Sequence, residues 1–212
     1  MDTRNIRICC LSDTHGFHRE AKIPECDLLL FAGDMTNQGE IEIIADFNRW
    51  LGELGIPSIV IAGNHDLSLE KLPGDKLLTN ATYLMRSSTE FQDLKIYGSP
   101  MSPKLGGWAF GYERNDRAKR LWEEIPDDTD ILLSHGPPLD ILDEGGLLIQ
   151  PLGCADLKRR TLNLKLKLHV FGHIHESHGR QRRNDTIFVN ASYCGWPDYS
   201  KVSEPILVSL ER

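Results

Sequence analysis

Aspartate, asparagine and histidine side chains recur in five short turns of this chain, and each turn follows an apolar run. The turns carry Asp13 and His15, then Asp34, then Asn64, His65 and Asp66, then His135, and last His173 and His175. The first four runs end at Leu11, Ala32, Ala62 and Leu133, and the fifth turn follows Leu168–Phe171. Carboxylate oxygen, amide oxygen and imidazole nitrogen together suit divalent transition metals. Two such ions held side by side activate water and neutralise charge on phosphate, so the inventory points to phosphate-ester hydrolysis.

That chemistry needs the turns in one place, and buried strands can supply it. A strand ending in a turn delivers its last side chains to one edge of a sheet. Ile6–Leu11, Asp27–Ala32 and Ser58–Ala62 read as near-continuous apolar strands. Between the last two, Ile44, Phe47, Leu51 and Leu54 recur at helical spacing, and Gly55 and Pro57 end that helix. A β-β-α-β start with strands apolar on both faces predicts an α/β sandwich. Ala81–Met85, Phe91–Tyr97 and Trp108–Phe110 are shorter, with Gly and Pro between them, and read as antiparallel strands and hairpins. Asn115–Glu124 and Cys154–Leu164 read as helices, and Ile131–Leu133, Leu168–Phe171, Thr186–Asn190 and Pro205–Leu210 as strands. Leu139–Gly153 is long and irregular, either a binding loop or a packed connector.

Within the turns, Asp13 and His15 flank Thr14, and His173 and His175 flank Ile174, so each pair shares one side of an extended backbone. Asn64 offers a carbonyl oxygen to a metal and leaves His65 free for acid chemistry, with Asp66 expected to fix the His65 tautomer. His169 lies inside a strand and reads as a core histidine, whereas His18 and His178 read as solvated loop residues. Trp108, Phe110, Tyr112, Tyr193 and Trp196 read as aromatics at strand ends, either core residues or candidates for stacking on a flat ligand group.

A length of 212 residues favours one domain, residues 1–212. The net charge of −7 argues against an extended nucleic-acid partner and against an anionic membrane surface. No apolar stretch reaches the length of a membrane span, and polar Met1–Arg7 leads into the first strand without a signal peptide. The five cysteines lack zinc-type spacing and read as buried, reduced thiols of a cytoplasmic protein. Neither a cysteine in a phosphate-binding loop nor a P-loop is present, so no covalent phospho-enzyme is expected.

Taken in chain order, D-x-H, GD, GNHD, H and GHxH resemble the calcineurin-like metallophosphoesterase superfamily, from about residue 8 to residue 175. More narrowly, DTHG, GDMTNQG, IVIAGNHDL, ILLSHGPP, LHVFGHIHE and VNAS resemble its metallophosphoesterase-domain-containing subgroup, which includes brain-type phosphodiesterases and bacterial relatives. The resemblance implies a four-layer α/β/β/α sandwich of two mixed sheets, with metals at one edge. It implies one ion on Asp13, His15, Asp34 and His175 and another on Asp34, Asn64, His135 and His173, with Asp34 shared. It further implies a hydroxide between the ions as nucleophile, with His65, helped by Asp66, protonating the leaving group. Some subgroup members lack the first histidine of GHxH and are poor enzymes; His173 implies that both sites here are complete. Mixed nitrogen and oxygen ligands suit two divalent ions, manganese first, with iron or zinc as alternatives. The implied partner is a small phosphorylated substrate, a phosphodiester of the nucleotide kind, cyclic nucleotides included. A phosphomonoesterase of the same fold and a nucleotide-binding or scaffold protein with little catalysis are the alternatives.

Overall fold

Apolar runs of four to six residues become the central strands of two facing sheets, in a computed structural model that describes residues 5–145 and 150–211. The first sheet runs Ile206–Leu210, Ile6–Leu11, Leu28–Ala32, Ser58–Ile61, Thr82–Tyr83; the last four are parallel and Ile206–Leu210 is antiparallel. The second runs Gly179–Arg183, Thr186–Asn190, Leu168–Phe171, Ile131–Ser134, Leu94–Ser99, Ser87–Phe91, with four parallel central strands and antiparallel edges.

The central strands are apolar on both faces because both faces are covered. Between the sheets, Ile8, Leu30 and Ile61 share one core with Ile131, Leu133 and Val170. Alternate residues Leu29, Phe31 and Val60 turn outward onto Ile44, Phe47 and Leu51 of the Ile41–Leu54 helix. On the far side, Tyr97 and Leu132 pack against Ala118 and Trp122 of the Asp116–Glu123 helix and Leu157 of the Ala155–Leu162 helix. The layers therefore run helix, sheet, sheet, helix, as the resemblance implies. Each fully buried side chain of this size contributes about 1.5–3 kcal/mol, so the strand ends are firm platforms for whatever they carry. No described helix is long and apolar enough to cross a membrane.

The middle of the chain departs from its sequence reading. Ala81–Met85 shortens to Thr82–Tyr83 and pairs parallel to Ser58–Ile61, not antiparallel. Phe91–Tyr97 is broken at Gln92-Asp93, where φ values of 47° and 68° fold Ser87–Phe91 onto Leu94–Ser99. Such two-residue turns favour Asn-Gly, so Gln-Asp carries no warning of a hairpin. Trp108–Phe110 is a loop; the local pairing joins Ser102–Pro103 to Gly111–Tyr112 in parallel. Gly179–Arg183 is a strand that hydropathy does not reveal, because an arginine-rich edge strand needs no apolar alternation. Within Leu139–Gly153, Glu144–Gly145 pairs with Gln150–Pro151, and residues 146–149 lie outside the described residues.

Candidate metal centre

The parallel strands of both sheets end at one edge, and cross-links hold the ends together. His135 Nδ1 bonds Ala32 O at 2.9 Å, joining the second sheet to the first. Gly172 N donates to His135 O at 3.0 Å, and Ser12 bridges to Ser192. The chain then turns sharply after each strand. Asp13, His15, Asp34 and His173 adopt left-handed backbone, with φ of 53°, 44°, 58° and 71°. A non-glycine residue held there costs about 1–3 kcal/mol and persists only where its surroundings over-determine it. Here they do: Asp13 N donates to Gly33 O at 2.8 Å and His15 N to Asp34 O at 3.1 Å, so the first two turns brace each other.

Two glycines permit the close approach. A Cβ on Gly63 would lie 2.2 Å from Asp34 Oδ1, and one on Gly172 would lie 2.0 Å from Asp13 Oδ2. Gly172→Ala will therefore push the Asp13 carboxylate aside. We expect reduced metal content and a fall in kcat/KM of roughly 10²-fold, the usual result of an ångström-scale misplacement. Metal analysis and kinetics on protein with an unchanged far-ultraviolet spectrum check this; full metal content and activity would show that the turn can yield.

All the residues singled out in the five turns meet here. Asp13, His15, Asp34, Asn64, Asp66 and His135 are buried, while His65, His173 and His175 are partly exposed. Ligand atoms of Asp13, His15 and His175 lie within 4.8 Å of one another, as do those of Asp34, His135 and His173, and those of His15, Asp34 and His65. Asp34 is common to the last two groups, and His15 joins the first to the last. Asp34 Oδ2 is 3.3 Å from His135 Nε2, and its Oδ1 accepts the His65 backbone N–H at 2.8 Å. Asn64 Oδ1 stands 2.8 Å from the same His135 Nε2. His175 Nε2 stands 3.5 Å from Asp13 Oδ1 and 3.4 Å from His15 Nε2.

Backbone carbonyls set the imidazole tautomers. Nδ1 of His15, His65 and His135 donates to Thr36 O, Asn37 O and Ala32 O at 3.0, 2.7 and 2.9 Å. A carbonyl only accepts, so in the neutral ring Nδ1 holds the proton and Nε2 turns a lone pair into the site. His135 Nε2 then faces carboxylate and amide oxygens, and His15 Nε2 faces another imidazole nitrogen. Acceptors opposed at these distances call for a cation or a proton between them, and this donor set fits divalent metals with nitrogen and oxygen ligands. Without metal a proton serves at His135: burial opposes it, but the Asp34 charge and hydrogen bond win and lift the ring to about 9. Burial holds His15 and His173 neutral, both near 4, so at neutral pH neither ring carries a second proton that a cation would have to displace. Burial raises Asp34, but the neighbouring His135 and His15 outweigh it and bring the carboxyl down to about 2.

Asp66 does not orient His65. Its carboxylate accepts from Gly63 N at 2.8 Å, Asp34 N at 3.0 Å, Thr36 N at 3.0 Å and the Thr36 hydroxyl at 2.8 Å. It ties the Asp34 turn to the Gly63 turn, and Asn37 takes over the His65 tautomer. His18 is likewise not solvated. It is buried between Phe47 and Trp50, with Nε2 3.0 Å from Asp46 Oδ2. His169 is buried, with Nε2 2.8 Å from Ser134 Oγ, as expected of a core histidine. His178 bonds Glu204 O at 3.1 Å and does not line the cavity over the metal-ligand cluster.

That cavity measures about 370 Å³. Asp34, Asn64, His65, His173 and His175 line one side. Trp108 enters it stacked on His65 at 4.0 Å between centroids, and Tyr199 enters stacked on His15 at 4.4 Å. Of the five aromatic candidates, Trp108 and Trp196 line the cavity, whereas Phe110, Tyr112 and Tyr193 are core residues. Tyr199 stands in no motif and has no sequence signal. Leu152 also lines the cavity, so Leu139–Gly153 borders it at its C-terminal end.

Facing sheets whose strand ends deliver paired carboxylate and imidazole ligands are suited to metal-assisted cleavage of phosphate esters. Residues 6–177 match the calcineurin-like phosphoesterase family, and the chain belongs to it. Human metallophosphoesterase domain-containing protein 1 is 37% identical over 231 residues, spanning 96% of this chain and 71% of that protein. A Nostoc protein named 3′,5′-cyclic-nucleotide phosphodiesterase is 28% identical over 178 residues, spanning 81% of this chain and 64% of its own. A crystal structure of a Thermus thermophilus protein, 15% identical, superposes with a TM-score of 0.60 over 90% of this chain and 92% of that one, a likeness of fold.

Proposed function

We propose that this chain is a two-metal phosphodiesterase acting on small substrates of the nucleotide kind, cyclic nucleotides included, with residues 1–212 forming one domain. The observation that carries the reading is Asp34, whose carboxylate belongs to two groups of converging ligand atoms. Asp13, His15, Asp34 and His175 would hold one ion, and Asp34, Asn64, His135 and His173 the other, with manganese preferred and iron or zinc as alternatives. When bound, such ions supply positive charge to phosphate oxygens and lower the pKa of water. The protein's own part lies around them. His65 Nδ1 is committed to Asn37 O, so Nε2 is the nitrogen left to face the cavity; in the imidazolium form, protonated on both nitrogens, the ring would pass its Nε2 proton to the leaving oxygen and return to the neutral Nδ1–H tautomer. Trp108 stacked on its face and His15 against its edge hold the ring in that direction. Asp66 acts one step back, by fixing Asp34. The name of the Nostoc relative supports a cyclic diester among the substrates. A cytoplasmic setting belongs to the same reading and is supported by five free cysteines.

The test uses metal-stripped protein with manganese added back, assayed on bis(4-nitrophenyl) phosphate and 4-nitrophenyl phosphate. We expect no turnover when stripped and restored turnover that favours the diester. Preference for the monoester would make the protein a phosphomonoesterase. Metal uptake with turnover of neither ester would leave a nucleotide-binding protein of the same fold.

A further inference from the structure

Apart from the metal-ligand residues and Glu176, the described residues lining the cavity are apolar or aromatic. Beyond the metal-ligand side its wall is Leu105, Trp108, Leu152, Ile174, Trp196 and Tyr199. Leu105 and Trp196 are 61% and 59% exposed, so packing does not account for such large apolar groups at the rim. The Trp196 ring centroid is 5.9 Å from that of Tyr199, so it extends the aromatic surface that Tyr199 begins over His15. Trp108 adds a second indole from another loop, stacked on His65. None of the described residues lining the cavity is a lysine or arginine. A phosphate away from the metal end would meet no counter-charge there, whereas a flat ring would meet π faces.

We propose that Trp196, together with Trp108, forms a stacking subsite for a flat aromatic substituent of the ester, and that this collar selects esters with a single phosphate over those carrying further phosphate groups. The inference rests on the phosphodiesterase reading and deepens it. The cavity volume falls within the range of small-molecule sites, about 300–1,000 Å³. Replacing a stacking aromatic by alanine typically weakens binding of a base by about 5- to 150-fold.

The deciding comparison holds the leaving group constant. Manganese-loaded protein is assayed on 4-nitrophenyl phenyl phosphate and 4-nitrophenyl methyl phosphate, so that protonation of the leaving group cancels. We expect kcat/KM to favour the phenyl ester by roughly tenfold. Trp196→Ala should bring the ratio close to one, and Trp196→Phe should keep most of it. No preference in the native protein, or a ratio unmoved by Trp196→Ala, overturns the subsite. Equilibrium dialysis at a fixed free manganese concentration gives the charge limb: adenosine 5′-monophosphate should bind more tightly than the 5′-triphosphate, and the reverse order overturns that limb. If neither ester turns over, the phosphodiesterase reading fails separately. The subsite is then decided by monophosphate binding alone, weakened by Trp196→Ala if the subsite exists and unchanged if it does not.

Discussion

Asp34→Asn will cost the protein more than roughly 10³-fold in kcat/KM, about 4 kcal/mol of transition-state stabilisation, and will take metal occupancy below two equivalents. The side chain is 2% exposed, so water cannot replace what the carboxylate supplies. One oxygen is 3.3 Å from His135 Nε2 and the other accepts the His65 backbone N–H at 2.8 Å. An amide keeps the shape but must put its NH2 at one of those positions. Facing His65 N–H, it would set donor against donor. Facing His135, it would donate to the lone pair that a metal needs. Removing the charge also removes the main support for the raised pKa of His135, so the electrostatic pull of the whole cluster on a cation weakens. Metal analysis and kinetics on the same preparation decide the matter, with thermal melting to confirm that the protein remains folded. Two full equivalents of metal with intact turnover would remove Asp34 from the shared position.

The layers were legible because the two periodicities rarely collide. Leu28–Ala32 is apolar at every position and buried on both faces, and Ile44, Phe47 and Leu51 mark one side of a helix that ends at left-handed Gly55. The nine residues of the five turns were legible as a group because each turn stands directly after a buried strand, and strands that run parallel in facing sheets finish at one edge. What holds those residues was not legible. Thr36, Asn37 and Ala32 serve through their carbonyl oxygens, and a backbone acceptor leaves no mark on residue type. Asp66 was misassigned because adjacency to His65 suggests a side-chain pair, whereas four donors claim the carboxylate, three from the Asp34 turn and the Gly63 N–H of its own turn. The cavity wall was the least readable part. Leu105, Leu152 and Tyr199 come from three loops far apart in the chain, and only the closing of the sandwich brings them together.

His65→Ala is expected to keep both metals and lose turnover selectively. Its backbone N–H, which alanine retains, is the group that supports Asp34, so the ligand geometry survives the change. The lost atom is Nε2, the ring nitrogen that faces the cavity. A positioned general acid contributes about 10²–10⁴-fold when the leaving oxygen needs a proton. Alkyl and nucleoside diesters should therefore fall by that factor, whereas a nitrophenyl diester, whose leaving group departs without help, should fall far less. The quantity to measure is the slope of log kcat/KM against leaving-group pKa, which should steepen in the variant. Equal losses across the series would take the acid role from His65. Loss of one metal equivalent would instead count His65 among the ligands, a role set by its place in the trio with His15 and Asp34. The same variant separates catalysis from scaffolding in the cell: a cellular role that persists in His65→Ala, with hydrolysis of natural diesters gone, belongs to binding and not to turnover.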